Sequence, residues 1–174
     1  MAPHTNSQPT IEHATHGDID AVADCWVRLA RDQRAYGSVV CADDNRATMR
    51  ETLAAYQVND GLLVARVDGH LVGFASFTVE HGTLDLDVTR GHLSNIYVEP
   101  NYRGRGIGTA LLEAVEDALA DRGVEALALE VMADNEAARR FYARQGYDTH
   151  RVTMARSLTE TASSKNDTHS KEDH

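Results

Sequence analysis

A chain of 174 residues with 42% hydrophobic side chains has the length of one ordinary domain and enough apolar material for its own core. Its 27 acidic residues outnumber 17 basic ones, for a formal net charge of -10, a balance that argues against nucleic acid and anionic membranes as partners. The longest apolar stretches fall far short of a membrane span, and residues 1–10 lack the basic start and apolar core of a signal peptide.

The expectation is therefore a soluble, cytoplasmic, acidic protein. Arginine is the only strong cation of the body, since the lysines, Lys165 and Lys171, lie near the C-terminal end. This balance resembles that of chains adapted to high salt, and whether salt or substrate explains the charge stays open. Cys25 and Cys41 sit outside any CxxC pairing and read as free thiols.

In chain order, a flexible N-terminus over 1–10 leads into a short strand, Ile11–Thr15, and Asp18 then caps a helix in which Ile19, Val22, Ala23, Trp26, Val27 and Ala30 recur at helical spacing. A second helix covers Asn45–Tyr56. Gly61–Val67 and His70–Val79 are β-rich runs joined by Asp68-Gly69, a type I′ hairpin signal, so they pair antiparallel. A polar loop precedes a strand over His92–Val98 that ends at Glu99 and Pro100. From Ile107 the apolar positions form the stripe of an amphipathic helix, closed by Arg122 and Gly123. Val124–Val131 reads as a strand with Leu127, Leu129 and Val131 on one face and Ala126, Ala128 and Glu130 on the other. Asn135 caps a short helix carrying Ala138, Phe141 and Tyr142, Gly146 ends it, and a last strand follows over Tyr147–Ala155. Residues 159–174 hold no apolar side chain larger than alanine and read as a disordered polar tail, leaving one domain over 11–158. Strands alternating with helices after an antiparallel hairpin give a mixed α/β layer fold.

YRGRGIG, residues 102–108, joins a strand to a helix, where free backbone NH groups and the positive helix end favour an anion. A P-loop is disfavoured, because no lysine lies nearby; a dinucleotide fingerprint would need glycine where Thr109 stands. Arg103, Gly106 and Gly108 satisfy the remaining pattern, RxxGxG. That pattern, with NIYVEPNYRGRGIGTALLEAVEDALADRG before it and around it and LALEVMADNEAARRFYARQGY after it, resembles the central core of the GNAT superfamily of N-acetyltransferases. The LEVxxxNxxAxxFYxxxGY segment is most similar to the ribosomal-protein alanine acetyltransferases.

The resemblance implies a mostly antiparallel sheet, splayed at the cofactor site and flanked by helices on both faces. It also implies acetyl-CoA as co-substrate, with no metal, and acetyl transfer to a primary amine of a protein, peptide or small molecule. By the same resemblance, Arg103, Gly104, Arg105, Gly106, Ile107, Gly108 and Thr109 bind the pyrophosphate, and the backbone of Ile96, Tyr97 and Val98 pairs with the pantetheine arm. Tyr142 is the general acid, and Asn135 binds the cofactor as well as capping its helix. Glu130 is the candidate base, in a site where partial burial raises a carboxyl pKa, and His92 is the second candidate. Glu99 is expected to face solvent. Arg90, Asp85 and Asp87 are either substrate contacts or solvated loop charges. A silent acyl-CoA-binding sensor is the alternative function, and a homodimer is left open.

Overall fold

In the computed structural model, which describes residues 7–159, the elements run β1 (Thr10–His13), α1 (Ile19–Gln33), α2 (Arg46–Val58), β2 (Leu62–Val67), β3 (His70–Val79), β4 (Arg90–Val98), α3 (Ile107–Ala120), β5 (Ala126–Leu129) and α4 (Glu136–Arg144). The sheet order follows the chain, β1-β2-β3-β4-β5. All neighbours are antiparallel except β4 and β5, which are parallel, as a strand-helix-strand crossover through α3 requires. Asp68 and Gly69, with φ of 50° and 79°, make the hairpin turn that the Asp-Gly pair favours. The expected mixed, mostly antiparallel sheet with helices on both faces is present.

Each face of the sheet buries one helical stripe. On one side Ile19, Val22 and Trp26 of α1 and Leu53 of α2 close over Val64 and Phe74. On the other, Leu111, Leu112 and Val115 of α3 close over Ala75, Phe77 and Leu93. The helix α3 stops as expected: Gly123 takes φ 80°, and Val124 NH reaches back to the Leu119 carbonyl. Every ion pair among the described residues is made by an arginine. No helix among them is long and apolar enough to cross a membrane.

Four expectations change. The first strand is Thr10–His13 rather than Ile11–Thr15, because Thr15 opens the tight turn that precedes α1. Asp18 does not cap α1 with its side chain. Its Oδ2 accepts from Thr15 NH (2.9 Å) and its Oδ1 from Arg66 (2.6 Å), fastening the turn to β2. The strand read as Val124–Val131 is shorter, Ala126–Leu129. The strand expected over Tyr147–Ala155 does not form: Tyr147 NH bonds back to the Tyr142 carbonyl, and beyond it no backbone-to-backbone hydrogen bond is made among the described residues. Strand-forming side chains make a strand only where their backbone pairs, and this segment pairs with no strand although β5 is the edge of the sheet. Thr10 already belongs to β1, while residues 1–6 of the expected flexible N-terminus, and the expected tail beyond Thr159, lie outside the described residues.

Burial pushes the Asp18 carboxyl up, but the hydrogen bonds from Arg66 and Thr15 and the Arg66 charge outweigh it and hold the pKa below its usual value. A depressed carboxyl pKa contributes stability that is complete above about pH 4 and is lost as pH falls through the native value. Asp18→Asn is expected to lower stability at pH 7 by about 1–3 kcal/mol and to flatten the loss between neutral pH and pH 3. Urea unfolding of both proteins at the two pH values measures this.

Candidate functional site

The ladder between β4 and β5 runs from Arg90↔Ala126 to Leu93↔Leu129 and stops, although β4 continues to Val98. On its other side β4 stays paired to β3 as far as Gly73↔Val98. The backbone of Ile96, Tyr97 and Val98 therefore presents an edge without a strand beside it. The divergence starts at a bulge: Phe77 pairs with Leu93 and Ser76 with Asn95, leaving Ser94 extra. Side chains pin the bulge, since Tyr56 of α2 shares a hydrogen bond with Ser94 (2.7 Å) and Asn95 donates to the fully buried Ser76 (2.9 Å).

Past β4, Gly104 and Gly106 take φ of 75° and 80°, and Gly106 stands at the N-cap of α3. A Cβ added at either would meet nothing within 4 Å. Glycine is thus demanded by the backbone, not by packing, and the space above it is open for a ligand to approach closely. None of the NH groups from Gly104 to Thr109, Arg105 and Ile107 included, donates to a described residue; the first loop-to-helix bond is Ala110 NH to the Gly106 carbonyl. That run of aligned donors at a helix N-terminus fits a pyrophosphate. The two arginines differ. Arg103 donates through Nε to the Val98 carbonyl (2.8 Å), lies over the Tyr97 ring and pairs with Asp32 of α1, so its guanidinium braces the loop. Arg105 is exposed and stacks on Tyr102.

The helix α4 lies on the α3 side of the sheet. A Cβ at Gly108 would stand 3.6 Å from Phe141, and Gln145 reaches Thr109. Asn135 Oδ1 caps α4 by accepting from Ala138 NH (3.1 Å), which leaves its amide NH2 unused by the cap. Tyr142 is half-buried between Phe141 and Tyr147, with ring centroids at 5.2 and 5.9 Å, and burial pushes its phenol up to about 12. Its hydroxyl makes no hydrogen bond to a described residue.

The acetyltransferase (GNAT) family model matches residues 26–147. The chain belongs to the GNAT acetyltransferase family. It is therefore an acyltransferase with acetyl-CoA as co-substrate, the group that the unpaired NH run fits. It is 32% identical over 155 residues to an aminoglycoside N(6')-acetyltransferase type 1 of Stenotrophomonas maltophilia, a match covering 86% of this chain and 94% of the relative. An uncharacterized N-acetyltransferase of Archaeoglobus fulgidus is 35% identical over 86 residues, 49% of this chain and 58% of that one. N-alpha-acetyltransferase 30 of Schizosaccharomyces pombe is 41% identical over 58 residues, 33% of this chain and 39% of that one. Among solved structures, the PaiA N-acetyltransferase of Thermoplasma acidophilum in complex with coenzyme A superposes with a TM-score of 0.72 at 18% identity, covering 84% of this chain and 93% of that one.

Within this GNAT fold the two candidate bases share a face. His92 pairs with Ala128 across the ladder and, like it, faces away from α3, because the adjoining Leu93 and Leu129 point into the α3 core. Glu130 follows β5 and by continued alternation lies on the His92 side. It is exposed, not partly buried as expected, because β5 ends one residue before it. Arg90 begins β4 and pairs with Glu80, and Asp85 and Asp87 are exposed in the loop before it.

Sequence reasoning missed one cluster. Glu99 does not face solvent: it accepts from Arg28 of α1 and, at 3.3 Å, from the Tyr97 hydroxyl, and the buried Cys25 thiol donates to it at 3.5 Å. A separation of 71 residues between Arg28 and Glu99 left no local signal. Burial foremost, then the Glu99 charge, push the Cys25 thiol up to about 12. In the folded protein Cys41, which is exposed, is expected to react with a chromogenic disulfide reagent at pH 8 and Cys25 to stay silent until denaturant is added. Counting released thiolate before and after unfolding checks this.

Proposed function

We propose that this GNAT enzyme N-acetylates a primary amine of a small, multiply cationic molecule by direct attack of the amine on the acetyl-CoA thioester, in the gap where β4 and β5 part. The observation that carries the reading is the placing of the candidate groups. Tyr142 stands on the α3 and α4 side of the sheet, and His92 and Glu130 stand on the other. In this reading the amine adds to the thioester carbonyl from the His92 face, a tetrahedral oxyanion forms, and the thiolate it expels meets Tyr142 on the other face, so the proton taken from the amine and the proton given to sulfur are handled on separate sides of the gap.

In this reading the NH groups of Gly104 to Thr109, with Arg105, hold the pyrophosphate, and Arg103 keeps the loop against β4. The open edge at Ile96, Tyr97 and Val98 pairs with the amides of the pantetheine arm as an added strand would, and an NH there polarises the thioester carbonyl. The Asn135 amide is available to the same ligand. Nitrogen bonds to the acyl carbon, the carbon-sulfur bond breaks, and Tyr142 gives its proton to the departing sulfur. A phenol at about 12 holds its proton at neutral pH, which supports a donor role. His92 or Glu130, directly or through water, takes the proton that the amine gives up.

Two features support a small cationic acceptor over a protein N-terminus. The relative named for aminoglycosides aligns over 155 residues, whereas the protein α-amine acetyltransferase aligns over 58. Glu130, exposed just past the last β4-β5 rung, puts an anionic side chain at the gap, a charge that attracts a cationic acceptor.

Titration with acetyl-CoA while following free thiol release over a panel of aminoglycosides, polyamines and peptides tests the proposal. Turnover on polyamino compounds is the expected result, and tight acetyl-CoA binding without turnover on any amine would replace it with the sensor reading. Tyr142→Phe is expected to lower kcat by roughly 10²–10⁴-fold with nearly unchanged coenzyme A affinity; equal turnover removes its role as acid. Gly106→Val forces a β-branched residue into a φ of 80°, so it is expected to distort the loop at the start of α3 and, with the far-ultraviolet circular dichroism of the rest of the fold retained, to lose coenzyme A binding in calorimetry. Gly108→Ala, whose methyl makes an ordinary contact with Phe141, is expected to retain it.

A further inference from the structure

The bulge in β4 turns two consecutive side chains to the same side of the sheet. Leu93 and Ile96 pack into the α3 core and Tyr97 into the α1 core, while Ser94 bonds to Tyr56 of α2 and Asn95 to Ser76. Strict alternation would have sent one of these two polar residues into the α3 core, and the extra residue re-aims it. Ser94 is also the first residue past the last β4-β5 rung, Leu93↔Leu129, and comes two residues before Ile96, where the open edge begins. Its hydroxyl therefore stands at the mouth of the gap, on the His92 face. Tyr56 and Ser94 are both half-buried, with their hydroxyls 2.7 Å apart. Two hydroxyls carry two hydrogens, and the bond between them uses one. Neither side chain makes another hydrogen bond to a described residue, so the pair keeps one donor and several lone pairs. The Tyr56 ring is held where it delivers its hydroxyl: a Cβ at Gly61 would meet the Phe77 carbonyl, and the Tyr56 ring at 3.3 Å.

We propose that the Tyr56 and Ser94 hydroxyls receive the acceptor amine, accepting an N–H of the attacking nitrogen so that its lone pair faces the thioester carbonyl. The role rests on acetyl transfer taking place in the gap, and it adds the group that orients the nucleophile there. An uncharged primary amine carries two N–H donors and one lone pair. With the lone pair directed at the acyl carbon, the hydrogens need acceptors on the side from which the amine comes, and the hydroxyl lone pairs supply them. Because the pair bears no charge, it does not favour the ammonium, which has no lone pair to attack with. The proton itself leaves to His92 or Glu130, and the hydroxyls keep theirs. Fixing the bulge does not by itself call for this pair, since the bond from Asn95 to the fully buried Ser76 already fastens β4 to β3 at the same point.

Steady-state thiol release with the fastest amine of the panel, measured on the wild-type protein, Tyr56→Phe and Ser94→Ala, tests the proposal, with acetyl-CoA affinity read separately by calorimetry. Each substitution removes one oxygen and leaves the apolar packing in place. Both variants are expected to lower kcat/KM for the amine by roughly 10-fold or more, with acetyl-CoA affinity nearly unchanged. Wild-type kcat/KM in both variants overturns the proposal while leaving acetyl transfer intact. A loss of acetyl-CoA affinity that matches the loss of turnover also overturns it, because the pair then serves only to pin the bulge and the open edge beyond it. A wild-type protein that binds acetyl-CoA and acetylates no amine overturns the reading of the gap as an acetyl-transfer site, and this role with it.

Discussion

The parallel ladder between β4 and β5 has four rungs, and the rest of the molecule is organised around its shortness. A longer ladder would close the sheet and remove the open edge at Ile96, Tyr97 and Val98. Two things keep it short. The extra residue at Ser94 turns β4 out of register just where the pairing ends, and β3 holds β4 along its whole length so that the strand cannot swing across the gap. The glycine turn that follows β4 then brings the start of α3, with its unpaired NH groups, to the mouth of the same opening.

Both helices of one layer are fastened to that stretch of β4 and the loop after it. Tyr56 ties α2 to the bulge, Arg28 ties α1 to Glu99, and Asp32 of α1 reaches Arg103 in the loop. A displacement of α1 or α2 is therefore transmitted to the open edge of β4 and to the glycine loop.

Features written in neighbouring residues were legible before any coordinates. The Asp68-Gly69 turn, the apolar stripe from Ile107 and the Asn135 cap depend on groups within one turn of one another, and all three stand where expected. The glycine loop was legible for the same reason, with Gly104 and Gly106 in the left-handed region. Glu99 was misjudged because its partners come from α1, far away in the sequence. Glu130 was misjudged because alternation says which face a residue takes but not where pairing stops. The segment after Tyr147 has the composition of a strand, and composition cannot supply the edge that a strand needs.

An enzyme that keeps a reactive thioester beside its own surface faces a chemical hazard, because uncharged amines of lysine side chains are slowly acylated without catalysis. The ion pairs that hold this fold together are built on guanidinium groups, which remain protonated in water and are poor nucleophiles. The scaffold is thereby made of cations that its own acetyl donor cannot neutralise, and the fastenings between α1, β2 and β4 keep their charge however long the protein works.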